Sequence, residues 1–291
     1  TAWLAGAQKL ADDIEAETDG RITIDVFANE QLSGGDSAKA VEGLAKGSID
    51  LTFNSTIIYS ILDERFGVVS APFLFDSLDE VDAAFAREGG KMLDELLLEK
   101  NVVALGYGEN GFRQITNNEG PIESPEDLKG MKMRIPGIKM YTDLFRAYGS
   151  DPATMTWSEV FTALQQGTID GQENPIDVIY SSKIDEVQDY LTLWNYSYDP
   201  LVLGINKKLF DSMSEEDQEL FKRLGKEAAA YQIQLNRERA AEQLEELKAK
   251  GMQVNELTEE QLQVFKDASQ PIYDQYKTIW GEDFLKAFQG E

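Results

Sequence analysis

Two arginines, an indole and a carboxamide are the side chains best placed to do chemistry, and the chemistry they suit is recognition of an anion. Arg134 lies in Lys132-Met133-Arg134-Ile135, a strand pattern that puts Lys132 and Arg134 on one face and Met133 and Ile135 on the other. A guanidinium there offers a planar fork of donors that matches a carboxylate bidentately, where a lysine would offer only a point charge. Arg113, just past the glycine-bearing bend Gly108-Glu109-Asn110-Gly111-Phe112, invites the same reading. Either arginine could instead pair with one of the chain's many acids. Trp157 precedes a helix N-terminus, where free backbone N–H groups favour an anion; its flat face suits a sugar ring, an aliphatic stem or core packing. Asn174, held before Pro175, brings one acceptor and two donors to a hydroxyl, a carboxylate or a turn. Asn54 and Ser55 follow the strand pattern at 49–53 and so fall where open α/β sheets bind ligands, although capping the next helix is an equal use for them. Asp170 and Glu173 stand three apart in an extended stretch and face opposite ways, which argues against a shared acid/base role.

Composition narrows the options further. The chain has no cysteine and no histidine, which excludes thiol nucleophiles, Ser-His-Asp relays, Cys/His zinc sites and disulfides. We therefore expect no catalytic residues, no metal and no cofactor. With 42% hydrophobic and 27% charged residues the chain reads as globular, and its longest apolar runs are strand-sized, so membrane insertion is not expected. The formal charge of -26, from 53 acidic and 27 basic residues, repels nucleic acid and anionic lipid. A well-hydrated surface and a salt-rich habitat both fit that charge, and any anion site must rest on local arginines. The opening Thr1-Ala2-Trp3-Leu4 carries no basic n-region or apolar signal core, so an export signal is expected to lie outside these residues.

At 291 residues the chain suits two domains of ordinary size. Helical spacing is expected over 3–17, a strand with alternating Ile22, Ile24 and Val26 over 21–27, a helix over 37–46 stopped by Gly47, and a strand over 49–53. One or two helices over 77–98 and a strand over 101–107 lead to the bend before Arg113, read as a crossing into the second lobe. Ser124-Pro125-Glu126-Asp127 and Thr156 with Glu159 are capping-box patterns flanking the strand 132–135 and a helix from about 139 to 148. Strands at 191–194 and 201–205 follow, the second as the return crossing. From Ser214 to about Lys250 the pattern is helical for roughly 50 Å, long enough to lie across both lobes as a strut. Thr258 with Gln261 caps a further helix, and 273–288 closes the chain. The order predicts an α/β, two-lobed fold with interleaved lobes: residues 1–110 plus 200–239 as lobe I, and 111–199 plus 240–291 as lobe II. Two lobes joined by double crossings make a hinge over a cleft.

Arg113-Gln114-Ile115-Thr116-Asn117, Asp127-Leu128-Lys129-Gly130-Met131-Lys132-Met133-Arg134-Ile135-Pro136, the Glu159-Val160 helix and Asp170-Gly171-Gln172-Glu173-Asn174-Pro175 together resemble the solute-binding proteins of tripartite ATP-independent periplasmic (TRAP) transporters. The likeness is ordered, correctly spaced and extends over almost the whole chain. It implies a periplasmic, monomeric receptor of the type II binding-protein fold that closes on an organic acid and delivers it to a TRAP membrane permease. Arg134 then falls on the carboxylate clamp, Arg113 on a second basic position, Trp157 on an aromatic pocket wall and Asn174 on the signature carboxamide. The family usually has a strand ahead of the first helix that supplies pocket residues, and this sequence starts at or inside that helix. Asn54 and Ser55 stand where a sialic-acid-binding member would carry a glutamate, which argues against sialic acid. The expected ligand is a hydroxylated monocarboxylate such as a hexuronate or aldonate, with a C4-dicarboxylate gripped by both arginines as the nearest rival. A carboxylate-dependent hydrolase acting on acidic sugars is the alternative from another class, and a sensor domain reusing the fold is a third.

Overall fold

The computed structural model describes residues 1–290. The chain opens with α1 (Ala2–Glu17), whose Leu10, Ala11 and Ile14 are buried. The predicted strand over 21–27 does not form: the stretch keeps its alternating burial, with Ile22 and Ile24 packed on a core cluster, but no strand pairs with it. Alternation fixes which side chains face inward, whereas a strand also needs a partner for its backbone. Next comes α2 (Ser37–Lys46), bounded as its sequence dictates by the Asp36 N-cap and by Gly47 in the left-handed conformation. β1 (Leu51–Ser55) runs directly into the short α3 (Thr56–Tyr59). After α4 (Leu78–Phe85) and α5 (Glu88–Glu99), β2 (Val102–Phe112) extends through the predicted bend, which is an irregularity within the strand at Glu109/Gly111.

Beyond Arg113 follow β3 (Gln114–Asn117), β4 (Lys132–Ile135), α6 (Lys139–Ala147), β5 (Asp151–Thr154), α7 (Trp157–Gln165), β6 (Gly171–Asn174), α8 (Ile176–Ser181) and β7 (Tyr190–Leu193). The chain returns through β8 (Tyr198–Asn206) and α9 (Lys207–Asp211) to α10 (Glu215–Ala249), then ends in β9 (Gln253–Glu256), α11 (Glu259–Trp280) and α12 (Glu282–Gln289). Gly281, at φ 90°, separates the last two helices within the closing stretch 273–288, while α11 runs on through Pro271.

Two sheets carry the two lobes. The first has the order β1-β8-β2, with both neighbours antiparallel to β8; the second is mixed, in the order β5-β4-β6-β3-β7-β9. The chain passes between them at Arg113 and again at residues 194–197, and the Arg113 amide donates to the Ser197 carbonyl at 2.9 Å, so the two crossings are bonded to each other. Gly171 is required where β6 meets β3, because a Cβ there would stand 2.3 Å from the Thr116 carbonyl oxygen. The predicted long helix is present: α10 packs on α1 and β2 and, further along, on α8. α11 lies against α6 and the turn at 64–70, and α12 lies against α4 and α5. At the second crossing, Trp194 and Tyr196, tilted at 37° to each other, join Phe145, Tyr148 and Phe265 in an aromatic cluster whose other contacts include edge-to-face pairs.

Candidate functional site

The carboxyl ends of β1, β4 and β6, the two crossings and the start of α7 bring the predicted residues toward one region, though in different states. Arg113 and Arg134 are 3% and 5% exposed, so both guanidinium groups have left bulk water. What surrounds them differs. Arg113 Nε donates to Glu173 Oε2, Nη2 to Glu173 Oε1 at 2.8 Å and to Asn174 Oδ1 at 3.2 Å, and Nη1 to Asp199 Oδ2 at 2.6 Å. Burial works to lower the Arg113 pKa, but Glu173 and Asp199 hold it well above its ordinary value. Its fork is thereby occupied by the protein itself.

The same two carboxylates tie in the rest of the hinge. Asp199 accepts from the Ser55 hydroxyl and from Asn110 Nδ2 at 2.7 Å, while Trp3 Nε1 donates to Asn110 Oδ1 at 3.2 Å. Glu173 accepts from the Tyr196 hydroxyl at 2.7 Å. A continuous polar network thus runs from β1 through β8 and the Arg113 crossing to β6. Glu173, set aside from acid/base pairing, and Asp199, not singled out at all, are the residues the sequence reading missed. The one available signal was an aspartate beside Pro200 in an otherwise apolar strand pattern. Asp170 serves elsewhere, accepting from the Lys132 amide at 2.8 Å.

Arg134 has no carboxylate within ion-pair distance among the described residues. Its Nε and Nη2 donate to the Met155 carbonyl at 3.2 and 2.9 Å, and its guanidinium carbon lies 5.3 Å from the centre of the Trp157 ring. Burial, with repulsion from Arg113 and against the pull of Glu173, pushes its pKa down to about 10. A buried charge without a partner costs free energy, and an anion added there would recover it. Thr156 holds the start of α7 through a 2.9 Å bond to the Glu159 carboxylate rather than through the reciprocal backbone bonds of a full capping box.

Asn174 accepts from Arg113 through its oxygen and donates one N–H to Gln172 Oε1 at 3.0 Å, which leaves a second donor. Asn54 and Ser55 are both internally engaged. Asn54 donates to Glu30 Oε1 at 3.1 Å and accepts from the Ser55 amide at 2.9 Å; Ser55 caps α3 by accepting from the Ile57 amide at 3.1 Å while bonding Asp199. The capping use foreseen for Ser55 is therefore present, together with a hinge contact that the sequence did not reveal.

Among the described residues no helix is long and apolar enough to cross a membrane, and no group of three or more His, Cys, Asp or Glu side chains is arranged to hold a metal ion.

Residues 1–279 match the family described as bacterial extracellular solute-binding protein, family 7. The chain is 32% identical over 284 residues to the 2,3-diketo-L-gulonate-binding periplasmic protein of Escherichia coli, covering 97% of this chain and 85% of the relative. It is 30% identical to the C4-dicarboxylate-binding protein of Bacillus subtilis, covering 96% of this chain and 80% of that one. In three dimensions it is similar to the sugar acid binding protein of Advenella mimigardefordensis in complex with galactonate, with a TM-score of 0.93, 32% identity and coverage of 98% and 91% of the two chains.

Proposed function

The chain belongs to the bacterial extracellular solute-binding proteins of family 7, the receptors of TRAP transporters, and from that premise we propose that it captures a hydroxylated monocarboxylate, a hexuronate or aldonate, in the periplasm for a TRAP permease. The observation that carries the ligand class is the contrast between the two arginines. Arg134, buried and without a carboxylate partner among the described residues, takes the single ligand carboxylate; Trp157 backs the guanidinium and walls the pocket, and the second Asn174 N–H is available to the ligand. Arg113 holds the hinge and the Asn174 carboxamide in place. Closure turns on the two crossings that Arg113 and Ser197 bond together.

A C4-dicarboxylate fits less well, although one relative is named for that class. Its second carboxylate would have to displace Glu173 or Asp199 from Arg113. Those two carboxylates also weigh against hydrolysis, because each is committed as an acceptor to a buried cation. The test is a thermal-shift and calorimetry panel of galactonate, gluconate, glucuronate, succinate and neutral galactose. A ligand at 100 times its Kd adds about 2.7 kcal/mol to stability. Sugar monocarboxylates are expected to raise the midpoint and to be recovered unchanged; stabilisation by succinate or galactose alone would overturn the reading.

A further inference from the structure

Glu30 stands out once the ion pairs are assigned. It is a half-buried carboxylate with no lysine or arginine within ion-pair distance among the described residues, whereas its neighbour Asp36 has Lys39 at 3.7 Å. Burial pushes its carboxyl pKa up and Asp36 adds to the rise, against hydrogen bonds from Ser37 and Asn54. Both Asn29 and Glu30 are held in the left-handed backbone region, at φ 53° and 56°, which costs free energy for residues other than glycine.

Its position indicates a use. Glu30 Oε1 accepts from Asn54 at the carboxyl end of β1, and Asn54 adjoins the Ser55 that leads through Asp199 to Arg113. Five residues later the same loop reaches the other lobe, where the Gly35 carbonyl accepts from Ser158 Oγ at 3.3 Å, beside Trp157 and hence beside Arg134. The loop therefore touches both lobes, with Glu30 tied to the end of β1 and Gly35 to the start of α7 beside Arg134. An ionised carboxylate has about four acceptor positions, and Ser37, Asn54 and Ser33 donate to it, so Glu30 retains capacity for one further hydroxyl donor.

Building on the receptor reading above, we propose that Glu30 sets the ligand class: it accepts a hydroxyl at the end of the ligand remote from Arg134 and excludes acids that carry a second carboxylate there. Asn54, a candidate in the sequence, becomes the residue that positions Glu30. Like charges brought together in a desolvated site oppose binding strongly, so the two ends of the cleft read opposite chemistry.

Calorimetry on two matched pairs tests this, galactonate against galactarate and gluconate against glucarate, in which only the terminal CH2OH becomes a carboxylate. The wild-type receptor is expected to bind the aldonate of at least one pair and its aldarate about 100-fold more weakly. In Glu30→Gln the aldarate should gain about tenfold or more while the aldonate loses only a few-fold, and Glu30→Ala should show the same relaxation with weaker aldonate binding. Melting of each ligand-free variant at the wild-type temperature shows that the fold is intact. Aldonate binding with undiminished discrimination in both variants overturns the Glu30 assignment alone. A wild-type receptor that takes aldarate as well as aldonate also overturns it alone. Failure of the wild type to bind any of the four acids overturns the receptor reading and the assignment together.

Discussion

Arg113 and Arg134 are buried to nearly the same degree, lie in the same region of the fold and have opposite surroundings. Around Arg113 the protein supplies two carboxylates, a carbonyl and a carboxamide; around Arg134 it supplies one carbonyl oxygen and an indole face. The difference teaches that burial alone does not mark a binding residue. A buried cation whose countercharges are internal is part of the frame, and the one that lacks a countercharge among the described residues is the one we propose for the ligand. Their pKa directions follow the same division, up at Arg113 and down at Arg134.

The contrast is most exposed to disproof at Arg113. Arg113→Met strands Glu173 and Asp199 as buried charges, and urea denaturation should show a loss of about 3–5 kcal/mol. Arg134→Met should behave the other way: ligand-free stability within about 1 kcal/mol of wild type or higher, because an unpaired buried charge is removed, but affinity for the cognate acid lower by about 30-fold or more. If the two variants were destabilised equally, the division between frame and clamp would fail. Arg134→Lys keeps the charge and loses the fork, so calorimetry should find weakened binding there as well.

A smaller effect sharpens the picture of the clamp. Trp157→Ala removes the ring beneath Arg134 and should cost about 1 kcal/mol of binding, roughly fivefold in Kd, with Trp157→Phe recovering part of it. The smallest change is expected at Ser158→Ala, which deletes an exposed 3.3 Å bond to Gly35. Its stability should move by no more than about 0.5 kcal/mol, and a larger loss would mean that the loop carrying Glu30 is fastened across the cleft more firmly than this one contact suggests.

Much of this was legible in the residues. Gly47 marked the end of α2, β4 fell on 132–135, and the long helix was capped at Ser214. β5 went unseen because Pro152 argues against a strand interior, and it is an edge strand, where proline is tolerated. β9 was missed because two exposed and two half-buried residues carry little periodicity; its pairing with β7 makes it a strand. The stretch at 21–27 failed for the converse reason, having the pattern but no partner.

The sequence by itself determined the α/β class, the crossings near Arg113, the family likeness and the residues on which an anion site would rest. Each of these depends on neighbours a few positions apart, where spacing along the chain maps directly onto one face of a helix or strand. Which arginine is free was decided only by the tertiary structure. Glu173 and Asp199 lie 60 and 86 positions from Arg113, and Glu30 lies 24 from Asn54. Charge compensation acts through a few ångströms of low-dielectric space, and no local pattern records which acid the fold will bring to which base.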